Sequence, residues 1–414
     1  MSRFSRSLWQ STFSRVTLDF SPTPEQEEIR QLAHEFAEKE IRPVAAYHDE
    51  TEEFPFEVVK KAHKLGLTPA AFLPEEYGGQ NLDFLTELMI NEELHWGCAG
   101  IAVCIQSMAL AMAGIRASGT EEQKKRWLPE FTNPDKLVLG GLGLTEPDSG
   151  SDALAMKTRA TRTGDSYVLN GTKQFCTNGG IADYHVIYAN TDPSKGPAGI
   201  ASFLVPKGTP GMRMGRKEKK LGVRASHTAQ VIFEDCQIPL DHRLGGEPDA
   251  DNAGPGALGA LMTLEATRPG VAAGALGIAR AAYEFALDYA QDRKQFGKPL
   301  WQHEAIGFKL ADMAMKIDAA RLLIWRAGWM ATQGQPFERA EGSMAKCFAA
   351  DVAMEVTTDA IQVLGGYGYI KEYPVEKWFR DAKIYQIWEG TAEIQRLVIS
   401  RAISGSRGTI RLRG

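Results

Sequence analysis

Residues 384–396 read IYQIWEGTAEIQR, and Glu389 is the residue in them that invites chemistry. It follows Tyr385, Ile387 and Trp388 and is followed at once by Gly390 and Thr391. Aromatic neighbours keep a carboxylate dry, which raises its proton affinity toward that of a working base. A glycine after it removes a Cβ, so backbone and carboxylate can face one ligand. The plain alternative is a helix end with an acid pointing to water.

Three other stretches are informative as a set. Residues 141–152, GLGLTEPDSGSD, hold small residues, hydroxyls and amides in a loop. Such a loop can bond an extended planar or phosphorylated ligand through its backbone, although many turns share this composition. Residues 173–180, KQFCTNGG, put Phe175 and Thr177 on one side of a strand by alternation. That pair suits a flat ring with polar edges, or equally a core Phe and a surface Thr. Residues 292–300, DRKQFGKPL, set Arg293 and Phe296 three apart, on one face of an expected helix. A cation and an aromatic there grip a phosphate and stack a base, or form one salt bridge and one packed ring.

One motif is a decoy. GPGALG at 254–259 matches G-x-G-x-x-G, but EPDADNA precedes it and no acid stands near 274–279. A dinucleotide fold needs an apolar strand before and an acid about 20 residues after. The stretch reads as a linker opening a helix. P-loop, H-E-x-x-H and G-x-S-x-G patterns are absent, and no metal site is expected.

The elements that must carry these residues follow from periodicity. Of 414 residues, 43% are hydrophobic and 24% charged, a soluble balance too long for one core. The net charge of −5 argues against nucleic-acid binding by bulk charge. Five cysteines without C-x-x-C spacing read as free thiols in a reducing compartment. No apolar run reaches the roughly 18 residues that cross a bilayer, so no stable membrane insertion is expected. Residues 1–18 read as a flexible leader, Arg- and Ser-rich like a transit peptide, though the arginines do not share one helical face. Residues 19–139 have helical spacing, with one or two buried helices over 84–118. Residues 140–252 alternate turn dipeptides with short β-rich runs, the mark of an antiparallel sheet or barrel. From 253 to 404 the helical period returns. Ile306, Leu310, Met313, Ile317, Ala320, Ile324 and Ala327 make a bundle-type seam. A basic tail occupies 405–414.

Taken together, LTEPDSGSD, KQFCTNGG, TRPGVAAGALGIA, DRKQFGKPL, IQVLGGYGY and RDAKIYQIWEGTAEIQR resemble the acyl-CoA dehydrogenase family, most closely its short- and medium-chain branch. The likeness runs from about residue 20 to 402. It implies an α+β chain of three domains: N-terminal helices, a middle antiparallel β-barrel and a C-terminal four-helix bundle. It also implies FAD, an acyl-CoA substrate, a homotetramer and electron-transferring flavoprotein as acceptor. Leu144, Thr145, Gly150 and Ser151 would line the flavin, and Ser151 also the thioester. Phe175 and Thr177 would lie on the isoalloxazine ring, where many relatives carry Trp for Phe175. Arg293, Phe296, Gln362, Gly365 and Gly366 would hold the pyrophosphate and adenine from a neighbouring subunit. Thr391 and Glu393 join the cofactor set, and Glu265, Arg268, Trp388 and Gly390 the substrate set.

The family places its base at one of two positions. One immediately precedes the arginine near the active site, and here that residue is Thr267, before Arg268. The other is the E-G-T glutamate, here Glu389. Glu389 is therefore the expected base for removing the α proton, with its own N–H polarising the thioester carbonyl. Trp388 and Gln106 shorten the expected acyl cavity toward short-to-medium chains. Two alternatives remain within the superfamily: an oxidase using oxygen, or a DNA-associated flavoprotein suggested by the basic tail. The expected location is the cytoplasm of a bacterial-type cell, or the mitochondrial matrix if the leader is a transit peptide.

Overall fold

The computed structural model describes residues 20–247 and 256–405. The expected leader, the tail beyond Gly405 and most of the 245–256 connector lie outside the described residues. The chain opens with α1 (Pro24–Phe36), begun by a reciprocal Thr23–Gln26 capping box. A π-turn joins it to α2 (Arg42–Thr51), and α3 (Phe56–Lys64) follows. Next come α4 (Phe84–Gly97), α5 (Ala99–Gln106), α6 (Ala109–Ser118) and α7 (Glu121–Thr132).

Residues 84–118 thus form three helices. Residues Ala99–Ser118 are also long and apolar enough to cross a membrane by length and composition, which corrects the sequence expectation. The stretch breaks where Ser107 Oγ bonds back to Cys104 O at 2.7 Å, and two-thirds of it is buried in the protein. Its apolarity belongs to the core.

The middle region is a curled seven-stranded sheet: β1 (Gly140–Gly143), β2 (Arg159–Thr163), β3 (Ser166–Thr177), β4 (Tyr184–Asn190), β5 (Ile200–Pro206), β6 (Met212–Lys217) and β7 (Thr228–Pro239). The β2–β3, β3–β7, β4–β5 and β6–β7 pairs are antiparallel, as expected. β1 and a single position of β2 run parallel to β4, because the loop carrying residues 144–158 crosses between them. One apolar cluster packs α6 and α7 on one side of the sheet, and a second fills the other side.

The C-terminal region holds α8 (Gly256–Asp292), a two-stranded hairpin of β8 (Lys294–Gln295) and β9 (Lys298–Pro299), α9 (Glu304–Thr332), α10 (Glu341–Leu364), α11 (Val375–Ala382) and α12 (Ala392–Ile403). The α9 seam follows the reading from Leu310 on: Leu310, Met313, Ile317, Ala320, Ile324 and Ala327 are buried, and Ile306 at its start is half-buried. Each large one contributes roughly 1.5–3 kcal/mol by leaving water. These helices share one core with α1–α5.

Two local features bear on the site. Arg268 and Pro269 lie inside α8. Pro269 has no N–H to give the Glu265 carbonyl, which is left facing Gly342, where a Cβ would lie 3.1 Å away. Arg293 and Phe296 do not share a helix face, because α8 ends at Asp292. Phe296 and Gly297 have φ of +50° and +77°, which suits a two-residue hairpin loop.

Candidate active site

The segment holding Glu389 is fastened before it turns. Lys377 and Asp381 of α11 are paired and buried, and Asp381 Oδ1 accepts from Val223 N at 2.5 Å. That bond ties α11 to the loop after β6. A 3₁₀ turn (Lys383–Gln386) follows, and Ile387 N and Trp388 N both donate to Ile384 O. The chain then enters the left-handed region, with φ +54° at Glu389 and +87° at Gly390. Such a conformation at a non-glycine residue persists only when its surroundings impose it.

The surroundings are specific. Gln395 Nε2 donates to Glu389 O at 2.9 Å and to Gly390 O at 2.8 Å. Lys346 Nζ, from α10, donates to Gly390 O at 2.7 Å. Thr391 Oγ1 accepts from Ile394 N and caps α12. Among the described residues no backbone hydrogen bond uses the Glu389 N–H.

The Glu389 carboxylate lies against α8. Thr267 Oγ1 donates to Glu389 Oε2 at 3.1 Å. Next to it, buried Arg268 is held by Glu265 and by Ser343 Oγ, the latter at 2.8 Å. The second Glu265 oxygen is buried without a protein partner. Burial pushes the Glu389 carboxyl above its ordinary value, while the Thr267 bond and the Arg268 and Lys346 charges pull it back. Tyr385 is buried and meets Trp388 edge-on at 4.9 Å. Trp388 is half-buried, with no protein partner for its indole N–H.

A second group of expected residues surrounds a buried ion pair. Lys173 Nζ reaches Glu146 Oε1 at 2.7 Å and Leu144 O at 3.1 Å. Glu146 also accepts from Lys157 N and Thr158 N, and Gln174 N donates to Thr145 O. The loop of Leu144 and Thr145 is therefore fixed from β3. A bulge between Lys173 and Cys176 turns Phe175 outward at φ +55°, leaving it 62% exposed. The bulge, not simple alternation, sets its direction. Thr177 is half-buried, and Gly150 and Ser151 are exposed.

Arg293, Gly365 and Gly366 line a separate open cleft of about 470 Å³ at the far end of α10. Sixteen residues of helix separate Lys346 from Gln362, about 24 Å. A Cβ on Gly365 or Gly366 would meet nothing within 4 Å. Arg293 has no ion-pair partner among the described residues, and Phe296 is 96% exposed. Gln362 is exposed beside them, and Glu393 is exposed on the first turn of α12, where hydrogen bonds hold its carboxyl below the usual range.

Family models for the acyl-CoA dehydrogenase N-terminal, middle and C-terminal domains match residues 23–135, 141–236 and 254–404. A short-chain specific acyl-CoA dehydrogenase of Clostridium acetobutylicum is 45% identical over 387 residues, 93% of this chain and 100% of that one. The chain belongs to the acyl-CoA dehydrogenase family. Butyryl-CoA dehydrogenase of Megasphaera elsdenii superposes with a TM-score of 0.88 at 43% identity, over 94% of this chain and 100% of that chain. A chain in a structure described as the electron transferring flavoprotein of Acidaminococcus fermentans also scores 0.88 at 43% identity, covering 96% and 100%.

An acyl-CoA dehydrogenase is a flavoprotein, and the residues present fit a flavin dinucleotide. Exposed Phe175 offers a flat apolar face, and the bare glycines beside Arg293 leave backbone open to a pyrophosphate. The sequence reading missed Lys346, Gln395, Ser343 and the Lys173–Glu146 pair. Lys346 left a signal: it is the one cation among the mostly apolar residues of GSMAKCFAADVAM. All five cysteines are free and buried, as read, and burial pushes the Cys176 thiol up to about 12.

Proposed function

We propose that this acyl-CoA dehydrogenase oxidises short straight-chain acyl-CoA thioesters to trans-2-enoyl-CoA, with Glu389 as base and electron-transferring flavoprotein as acceptor. The carrying observation is the Glu389–Gly390 turn, which offers a half-buried carboxylate and an uncommitted N–H from one residue. Glu389 takes the α proton, and its N–H receives the charge that moves onto the thioester oxygen. Gly390 leaves room for the substrate on the same side. Trp388 and Tyr385 exclude water, and Arg268 with Glu265 and Ser343 forms a buried polar wall beside the turn. When bound, FAD supplies the two-electron acceptor for the hydride that leaves Cβ.

Leu144, Thr145, Gly150, Ser151, Phe175 and Thr177 would hold the ring end, with Thr391 beside it. Arg293, Phe296, Gln362, Gly365 and Gly366 would hold the diphosphate end of a flavin shared with a second copy in a homotetramer. The flavoprotein acceptor is supported by the structural neighbour from the electron transferring flavoprotein work, and the short chain by the short-chain and butyryl-CoA relatives. The free thiols suit a reducing compartment such as bacterial cytoplasm.

The deciding experiment is anaerobic flavin reduction by butyryl-CoA in Glu389→Gln. A fall of roughly a hundredfold or more is expected for loss of a general base. A rate near that of the unmodified enzyme removes Glu389 from the role.

A further inference from the structure

Lys346 is fully buried on α10 beside Ala345, Cys347 and Ala349. An ammonium in such a place is costly unless something there requires it. Its Nζ meets the carbonyl of Gly390 at 2.7 Å, not a carboxylate. That same carbonyl also takes Gln395 Nε2, so both of its lone pairs are used. Gln395 is itself fully buried, and its Oε1 has no protein partner. Two buried side chains thus converge on two successive carbonyls, where the backbone is left-handed at consecutive residues 389 and 390.

We propose that Lys346 is a positioning residue for the dehydrogenation: through the Gly390 carbonyl it holds the Glu389–Gly390 turn so that the Glu389 N–H and carboxylate face the same thioester. The inference rests on the reading of Glu389 as base. With the 390–391 carbonyl pinned to α10 and the 389–390 carbonyl pinned to Gln395, rotation about Gly390 is removed. Gly390 is the residue best able to relax without such pins.

Lys346 also sets the field at the base. The charged groups that act on Glu389 are Arg268 of α8 and Lys346 of α10; Asp351 and the neutral Cys347 thiol of α10 lie near Lys346, Glu393 and Arg396 stand on the first turns of α12, and His95 of α4 packs against Tyr385. Arg268 is paired with Glu265, and Arg396 with Asp351. Burial pulls the His95 imidazole down to about 4, so it is neutral at pH 7. Lys346 is the cation facing Glu389 without a salt bridge among the described residues. Burial draws its ammonium down to about 8, and the Glu389 charge is the main influence holding it up. Removing it raises the proton affinity of Glu389, because the carboxylate loses a stabilising charge.

The test uses purified holoenzyme of Lys346→Met and Lys346→Gln, with flavin content, stopped-flow flavin reduction by butyryl-CoA from pH 5 to 9, and KM. For Lys346→Met, flavin reduction should slow at least about tenfold with KM nearly unchanged, and the acid limb should move to higher pH. Lys346→Gln, which keeps an amide donor but no charge, should share the pH displacement with a smaller loss of rate. If Lys346→Met fails to hold flavin, Lys346→Gln decides by the direction of its acid limb. An unmoved acid limb and a rate within twofold in the variant that holds flavin overturn the proposal. An inactive Glu389→Gln beside such a result leaves the base assignment standing, whereas an active Glu389→Gln removes the base itself.

Discussion

Thr267 Oγ1 donates to Glu389 Oε2 across 3.1 Å, joining the two positions at which the family's base is expected. The position without a carboxylate is thus not idle: its hydroxyl stabilises the carboxylate at the other. Helix α8 and the turn before α12 thus bring these two side chains to one point.

Thr267→Val removes that hydroxyl at nearly constant volume. The bond favours the ionised carboxylate, so its loss should raise the Glu389 carboxyl further. The base must be ionised to act. The acid limb of kcat/KM should therefore move to higher pH, with flavin content unchanged. A pH–rate profile superimposable on that of the unmodified enzyme would show that the hydroxyl has no part in tuning the base.

Gly390→Ala addresses the turn directly. At φ +87° an alanine is strained, and its Cβ would lie 2.8 Å from Gln395 Nε2. The strain costs on the order of 1–3 kcal/mol. Either the Gln395 clamp or the turn must shift, so flavin reduction should fall by at least about tenfold while thermal stability drops modestly. Full activity would mean that the turn is not held as described.

Stability should depend on a cluster remote from this turn. Glu93, on α4 and 1% exposed, bonds Arg280 of α8, Arg30 and His34. Burial opposes its charge, but the Arg280 partnership prevails and holds the carboxyl down to about 2. A depressed carboxyl stabilises the fold above its unfolded value near 4.5 and loses that contribution as pH falls toward 2. The contribution is about 3 kcal/mol. Glu93→Gln should flatten the decline in urea-unfolding stability between those limits. Arg280→Leu should cost about 3 kcal/mol at pH 7, because it removes the buried cation that Glu93 and Glu92 share and leaves Glu93 to Arg30 and His34 and Glu92 to Arg321. A change under about 1 kcal/mol in Arg280→Leu would contradict this account.

What the sequence disclosed about the site depended on the scale of the cause. The α9 seam was legible because six buried positions repeat at helical spacing. Glu389 was legible because aromatics and a glycine bracket it. Simple alternation does not account for the direction of Phe175, since a bulge in the β3–β7 register turns it outward. The Arg293–Phe296 pair was read as helical, and the hairpin stayed hidden because its positive-φ positions are filled by Phe296 and Gly297, not Asn-Gly. Lys346 and Gln395 meet the turn only through packing of α10 and α12, and no local pattern encodes that meeting.

The same helix that supplies the seam carries a second apolar line. Phe308, Met315, Leu322 and Trp329 are 66%, 63%, 41% and 50% exposed, and they follow one another at intervals of seven. Seven residues advance an α-helix by almost two full turns, drifting only about 20°, so the four side chains form one stripe along α9. They lie off the buried seam of Leu310, Met313, Ile317 and Ile324. A stripe of four large apolar residues over some 32 Å is unusual for a surface meant for water. Heptad spacing matches the repeat by which helices of separate chains pack against one another. The expected partner is a second copy of this chain, bringing its own α9 or a neighbouring helix, in line with the homotetramer proposed above. Met315→Glu combined with Leu322→Glu should lower the mass measured by sedimentation at micromolar concentration, because each carboxylate would be buried unpaired in the contact. Met315 and Leu322 are exposed on the single chain, so the variant should keep its monomer fold by circular dichroism. An unchanged assembly mass would show that α9 presents this stripe to solvent and that copies associate through another face.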